Sequence, residues 1–549
     1  MWIAPGRRSV QTRSVAPSPR LTFWPAAALL VITLVIYIPS LHGVFVLDDK
    51  NWIIESEPFY RDFAGLVTMW VRPSALPQYF PLTGVSFWID RHLWGLWPLP
   101  YHVENVLLHA GAALLLWQLL LKLGIRWAWF GGAVYAWHPM MASSVSWITE
   151  RKNVLSTCLF LAALLAYGRF TAWWRDHEPG QRASWRSYAL AAFLYFAALM
   201  AKATTLFFPA VVLLIAWWKR PGLRRRDWCC ALPLLAPGVA LGCYFVSVEQ
   251  SPAHAWGPDF DFSMAVRIVL AGRSLLFYLS TFFWPHALSP IYARWPTVDL
   301  AWRDAIYPAL ALGILASAWV LRRHWGRGVA VALFAWAGIL SPMLGFVNLA
   351  GMRLSFVWDH LAYLPNTALA GLAAGGLGAL SQRVGREVVW KALGGVALAS
   401  LLLLTWRQAG VYQDASSIWR QTLACNPASW AAHYKYGEIL EQEGQQQEAI
   451  AHYRKALELR PDFPEVSNEL GLMLNRQGQY EEAIEQLQRA TYLRPYISVY
   501  LYNLASVLIE RNRASEAVPL LERAVKIAPY DANARTKLIQ AKASVQNAH

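Results

Sequence analysis

Asp48 and Asp49 stand side by side in VFVLDDKN, a few residues past a long apolar run. Adjacent carboxylates repel, so a helix exit that needs one cap gains little from the second. A site that moves protons gains from both. One carboxylate takes the proton, and the other orients a substrate or raises its neighbour's pKa. Cations and further polar groups recur where the chain leaves other apolar blocks on the same side. WHPMMASSVSWITERKN carries His138, Glu150, Arg151 and Lys152, and MAKATT carries Lys202. MRLSFVWDHLAYLPN carries Arg353, Asp359 and His360, and WPHALSPIYARWP adds His286 and Arg294.

Such a set suits sugar transfer from a polyprenyl phosphate to a hydroxyl. The hydroxyl oxygen attacks C1, the bond from C1 to the lipid phosphate breaks, and the phosphate leaves with the electron pair. A carboxylate takes the hydroxyl proton. Arg, Lys or His holds the departing phosphate. A dry groove between spans holds the isoprenoid, and the reaction requires no metal. Structural roles compete for the same residues. Arg151 and Lys152 can anchor a span end, His138 beside Pro139 can cap a helix, and His109, inside a span, reads as a packed histidine.

The elements that must position these residues are helices. Of 549 residues, 56% are apolar and only 15% charged, and the apolar ones come in blocks of spanning length. Spans are expected near 21–40, 103–122, 127–143, 153–169, 187–201, 204–218, 229–248, 304–321, 328–346, 361–380 and 388–406. Arg7, Arg8, Arg13 and Arg20 precede the first span without an acid, so the tail 1–20 is expected in the cytoplasm. With about eleven spans the basic loops fall on that side, and Asp48 falls on the other. Segment 263–284 is apolar enough to be a twelfth span, but Arg267 and Arg273 make crossing expensive; an interfacial or partly inserted helix on the outer side is expected. The +15 net charge is explained by these loops rather than by nucleic acid, and the 30 Trp suit interfacial belts. Five Cys suggest no disulfide framework.

After Arg407 the composition turns polar and a repeat takes over. Pro427, Pro461, Pro495 and Pro529 are 34 residues apart. Gly437, Gly471 and Ala505 keep that step, as do Ala449, Ala483 and Ala517, and Ala456, Ala490 and Ala524. This is the tetratricopeptide pattern: small residues where paired helices touch, and Pro where the second helix ends. The expected fold is therefore all-α, a polytopic membrane domain over 21–410 followed by a tetratricopeptide solenoid over 411–549 on the outer face.

FVLDDKNWI, YFPLTGVSFWIDRHLWGLWPLPYHVENVLLHAGAALLL, WHPMMASSVSWITERKNVLS, AKATTLFFPAVVLLI, DHLAYLP and the repeats together resemble the transmembrane-and-tetratricopeptide O-mannosyltransferases and their bacterial relatives, in the GT-C glycosyltransferase superfamily. The resemblance covers nearly the whole chain. It implies an inverting transfer of mannose or a similar hexose from a polyprenyl-phosphate donor to a protein hydroxyl. The site would lie on the outer face of a bacterial inner membrane, with no cofactor beyond the donor. It puts the base at Asp48 or Asp49, with Asp48 favoured, and sets Glu150, Arg151 and Lys152 beside it. Lys202, His138, Arg353 and His360 complete the expected donor-binding set. Two positions depart from the family pattern: Phe80, where relatives often have Arg, and Ala203, where they often have Glu. Transfer to a lipid or glycan, and a non-catalytic membrane-anchored scaffold, are the alternative readings.

Overall fold

The computed structural model describes residues 19–171, 184–249, 255, 257–297 and 301–547. The expected cytoplasmic tail lies almost wholly outside the described residues. Every regular element among them is helical. Six helices are long and apolar enough to cross a membrane: Pro98–Lys122, Ile148–Thr171, Arg225–Val248, Met264–Phe283, Trp302–Arg323 and Glu387–Val411. Shorter apolar helices cover Phe23–Ile36, Trp185–Ala201, Ala203–Lys219 and Arg327–Met343.

The membrane domain is organised around Pro98–Lys122, which touches Pro19–Ile36, Ala128–Ala136 and Arg151–Thr171. Glycines allow the closest of these approaches. A Cβ on Gly131 would sit 2.6 Å from Leu120 and 3.2 Å from the Ala370 carbonyl, and one on Gly132 would sit 2.9 Å from Trp117. Small residues let spans pack where lipid supplies no hydrophobic drive. His109 lies fully buried in this core, as expected of a packed histidine. Its Nε2 faces the Ala136 carbonyl at 2.9 Å and must donate, so Nδ1 accepts from the Tyr363 hydroxyl at 2.6 Å.

Two expected spans take another form. Over 127–143 only Ala128–Ala136 is a regular helix. Pro139 then starts a 3-10 turn, followed by Ala142–Ser146 and a second 3-10 turn, Ile148–Glu150. These turns stay buried, so irregular backbone at this depth is shielded by protein. Span 361–380 begins later, as Asn366–Val384, because Pro365 blocks helix N-terminal to it.

Segment 263–284 forms one continuous helix, Met264–Phe283. Its two flanks come together. Arg294 donates to the Asp259 carbonyl at 2.6 Å and pairs with its carboxylate at 3.6 Å. The chain thus returns alongside the helix, with Trp295 beside Phe277. The same Asp259 carboxylate meets Arg353 at 3.3 Å and Arg460 of the repeat domain at 3.2 Å.

Glu387–Val411 leads into Ala415–Cys425, whose cap Asp414 accepts from the Ser417 N–H at 2.7 Å. Three helix pairs follow: Trp430–Gln442 with Gln446–Leu459, Pro464–Arg476 with Tyr480–Leu493, and Ser498–Glu510 with Ala514–Ile527. Ala532–Asn547 closes the stack. Ala449, Ala483, Ala517, Ala456, Ala490 and Ala524 are all fully buried where helices meet. The turn inside each pair uses positive φ at Gly444, Gly478 and Asn512, again 34 apart. Asn is the side-chain-bearing residue that best tolerates that conformation. Val46, Trp147, Ile291, Tyr412, Ile418 and Trp419 form one cluster, and the Val44 N–H donates to the Gln413 carbonyl at 2.9 Å. The Asp48 loop and the base of the solenoid therefore share one face of the molecule.

Candidate functional site

A cavity of about 1010 Å³ opens on that face. Asp48, Glu150, Lys152, Lys202, His360 and Trp147 line its charged end. Phe207, Val239, Val246, Met343 and Phe346 line its apolar end. The charged groups arrive from separate elements: the Asp48 loop, the start of Arg151–Thr171, the junction after Trp185–Ala201, and the turn Asp359–Ala362.

The two aspartates divide. Asp48 is exposed to the cavity, whereas Asp49 is fully buried. Asp49 accepts the Val46 N–H on one oxygen at 2.9 Å and the Thr149 N–H on the other at 2.8 Å. It pins the first outer loop to the second. Partial desolvation raises the Asp48 pKa, Lys152 draws it back down and Glu150 raises it again. Burial pushes Asp49 up to about 7 against the pull of its two backbone donors.

Glu150 sits just ahead of the helix N-terminus, where its charge suits the helix dipole. It pairs with Lys152 at 2.8 Å and lies 3.7 Å from Lys202. Asn153 donates to Glu150 and accepts from Lys202 at 2.5 Å. Lys152 also lies near the Trp52 and Trp147 rings. Each ammonium carries three donors, so both lysines keep N–H groups beyond these contacts. Burial lowers the Lys202 pKa to about 8, with Glu150 opposing and Lys152 assisting. Burial also drops His360 to about 4, so it faces the cavity as a neutral imidazole rather than as the expected cation.

Besides Asp49, three expected members do not reach the cavity. Arg151 turns the other way, onto Asp90, Glu104 at 3.2 Å, and the Asn105 oxygen at 2.9 Å. Glu150 and Lys152 meet on the cavity side while Arg151 leaves the helix start the other way, so the two adjacent cations serve two places. His138 stacks on Phe282 at 4.6 Å and accepts from the Met140 N–H, which makes it a turn cap. Arg353 joins the Asp259 group, although its neighbours Met352 and Ser355 do line the cavity. Sequence reasoning missed Asn153, Asp90 and Gln78, which lines the cavity. Asn153 was findable: on a helix it lies one turn from Glu150. Asp90 carried no such signal. Phe80 and Ala203 line the cavity together and pack in one apolar cluster with Trp52 and Ile148. Among the described residues no three His, Cys, Asp or Glu side chains form a metal-holding group.

These features define an integral membrane protein with a charged cavity at one face and a tetratricopeptide solenoid above it. Tetratricopeptide family models match residues 437–476 and 463–529. The chain is homologous to the protein O-mannosyl-transferases named TMTC. It is 24% identical to human TMTC4 over 492 residues, covering 77% of this chain. It is 32% identical to human TMTC2 over 147 residues, covering 24% of this chain and 17% of that one. The chain spans 64% of the length of human TMTC4. Similar solved structures include the MamA protein, 22% identical, covering 26% of this chain and 76% of that one with a TM-score of 0.24. Another is YrrB, described as a TPR protein with an unusual peptide-binding site: 15% identical, 41% and 97% covered, TM-score 0.21.

Proposed function

We propose that this chain is a membrane glycosyltransferase. It moves mannose or a similar hexose from a polyprenyl-phosphate donor to a hydroxyl of a protein acceptor, with inversion. The observation that carries the reading is the cavity itself. It brings Asp48 and two lysines together with a largely apolar wall in one space of about 1010 Å³. The donor's tail lies along Phe207, Val239 and Phe346, and its phosphate meets Lys152 and Lys202. Asp48 takes the proton of the attacking hydroxyl while the bond from C1 to phosphate breaks. Glu150 bridges the lysines and holds them in place as the phosphate gains charge. The names of the homologues support sugar transfer to protein.

The active face is the outer face of a bacterial inner membrane. The joined flanks of Met264–Phe283 support this sidedness, since that helix then returns the chain to the side it left. The solenoid on the same face suits an extended protein acceptor better than a lipid or glycan. The test is the purified full chain with polyprenyl-phosphate mannose and a Ser/Thr-rich peptide. Transfer to peptide that disappears in Asp48→Asn is expected. Sugar appearing only on lipid would overturn the acceptor, and no transfer to any acceptor by folded protein would favour the scaffold reading.

A further inference from the structure

A second hollow, of about 510 Å³, lies against Met264–Phe283. It shares no lining residue with the Asp48 cavity. Arg273 is the charged residue in its wall, and Leu276, Phe283, Trp295 and Tyr307 are among the others. The Arg273 guanidinium lies 4.5 Å from the centre of the Tyr307 ring and 5.2 Å from that of Trp295. Those ring faces answer its charge but accept few of its five N–H donors. Among the described residues it has no carboxylate partner and no hydrogen bond. Its neighbours are served differently: Arg267 donates to the Gly345 carbonyl at 2.7 Å, and Arg294 pairs with Asp259.

An arginine in a helix apolar enough to enter a membrane marks a function by default. Its planar fork suits two oxygens of one phosphate. From Arg273 the wall continues through Leu276 and Ser280 to Phe283, a rise of about 15 Å along the helix. That is roughly half the hydrocarbon thickness of a bilayer, the depth of one leaflet. We propose that this hollow binds an anionic phospholipid, its phosphate on Arg273 and an acyl chain along the groove toward Phe283. A free phosphate would leave the apolar wall uncovered.

The full chain in detergent, titrated with phosphatidylglycerol and read by native mass spectrometry and thermal unfolding, tests this. The parent should retain the lipid and unfold at higher temperature with it. Arg273→Gln should bind at least tenfold more weakly, and Arg273→Lys should keep part of the affinity. Ser280→Trp, which fills the groove and leaves the charge, should also lose the lipid and covers the case that Arg273→Gln fails to fold. Equal binding by parent, Arg273→Gln and Ser280→Trp would overturn the proposal. So would equal stabilisation by phosphatidylcholine or by inorganic phosphate, or displacement of the phospholipid by equimolar polyprenyl phosphate.

Discussion

Replacing Asp49 by Asn should harm folding, while replacing Asp48 by Asn should harm only chemistry. Asp49 uses both oxygens as acceptors for buried backbone donors, Val46 and Thr149. Asn offers one oxygen, and its NH2 group would face the other N–H. An unsatisfied buried donor costs about 1–3 kcal/mol. The clearest reading is at about pH 5, below the Asp49 pKa of about 7, where parent and variant are both neutral at this position. There the variant should be less stable by about 1–3 kcal/mol. The sign of the pH dependence follows from the raised pKa. The folded chain holds this proton more tightly than the unfolded one, whose Asp titrates near 3.9. Stability therefore falls as pH rises from about 4 to about 7, and Asn removes that slope. A rise from about 3.9 to about 7 is worth about 4 kcal/mol, so the deficit of the variant should close or reverse by pH 8, since Asn also removes a buried charge. Transfer should fall as well, because Asp49 ties the Asp48 loop to the stretch that ends in Glu150. Asp48→Asn faces the cavity, so its unfolding should match the parent's while transfer is lost. The assays are thermal unfolding in detergent across pH 5–8 and peptide transfer with purified protein. An Asp49→Asn chain as stable as the parent at pH 5, or an Asp48→Asn chain with parental turnover, would refute the division of labour.

The pH profile of transfer should show an acid limb above the ordinary aspartate value of about 3.9, since Asp48 must be ionised to accept a proton and its pKa is raised; a rate flat down to that value counts against Asp48 as base. Lys202→Ala removes a charge-assisted phosphate contact worth about 1.5–3 kcal/mol, so donor turnover should drop roughly tenfold or more in a folded chain; unchanged kinetics would return Lys202 to a purely structural role. Gly471→Ala should lower the melting temperature despite Ala's better helix propensity, because its Cβ would lie 2.7 Å from Leu487 and 3.0 Å from the Ala483 carbonyl, which is backbone and cannot swing away; a higher melting temperature would show that the helix pair can spread. A reporter fused after Arg407 should be active only outside the cytoplasm; cytoplasmic activity would invert the topology.

The solenoid was legible because its packing rule repeats in register, with the same small residue every 34 positions. Most helix positions were legible from apolar length. The stretch 137–150 was not, because buried polar turns shielded by protein have the composition of an ordinary span end. Arg151 looked like Lys152 in sequence, and only the helix start separates their directions. The pairing of Arg151 with Asp90 spans 61 positions and leaves no local trace. Asp48 and Asp49 looked equivalent for the same reason: the donors that claim Asp49 include one a hundred residues away.

Asp259 holds Arg294, Arg353 and Arg460 at once, and so works as a hinge pin between the solenoid and the rim of the cavity. Arg460 ends the second helix of the first full repeat, while Arg353 belongs to the loop whose Met352 and Ser355 form cavity wall. A tilt of the solenoid must either break this pin or drag that wall with it. An acceptor that bends the array and a donor that fills the cavity would then feel each other. Thermodynamic linkage requires the effect to be mutual: each would change the other's affinity by the same factor. Titrating either ligand in the presence of the other reads that factor, and Asp259→Ala should move it toward one, the packing of Val46 and Trp147 on Ile418 and Trp419 being left in place.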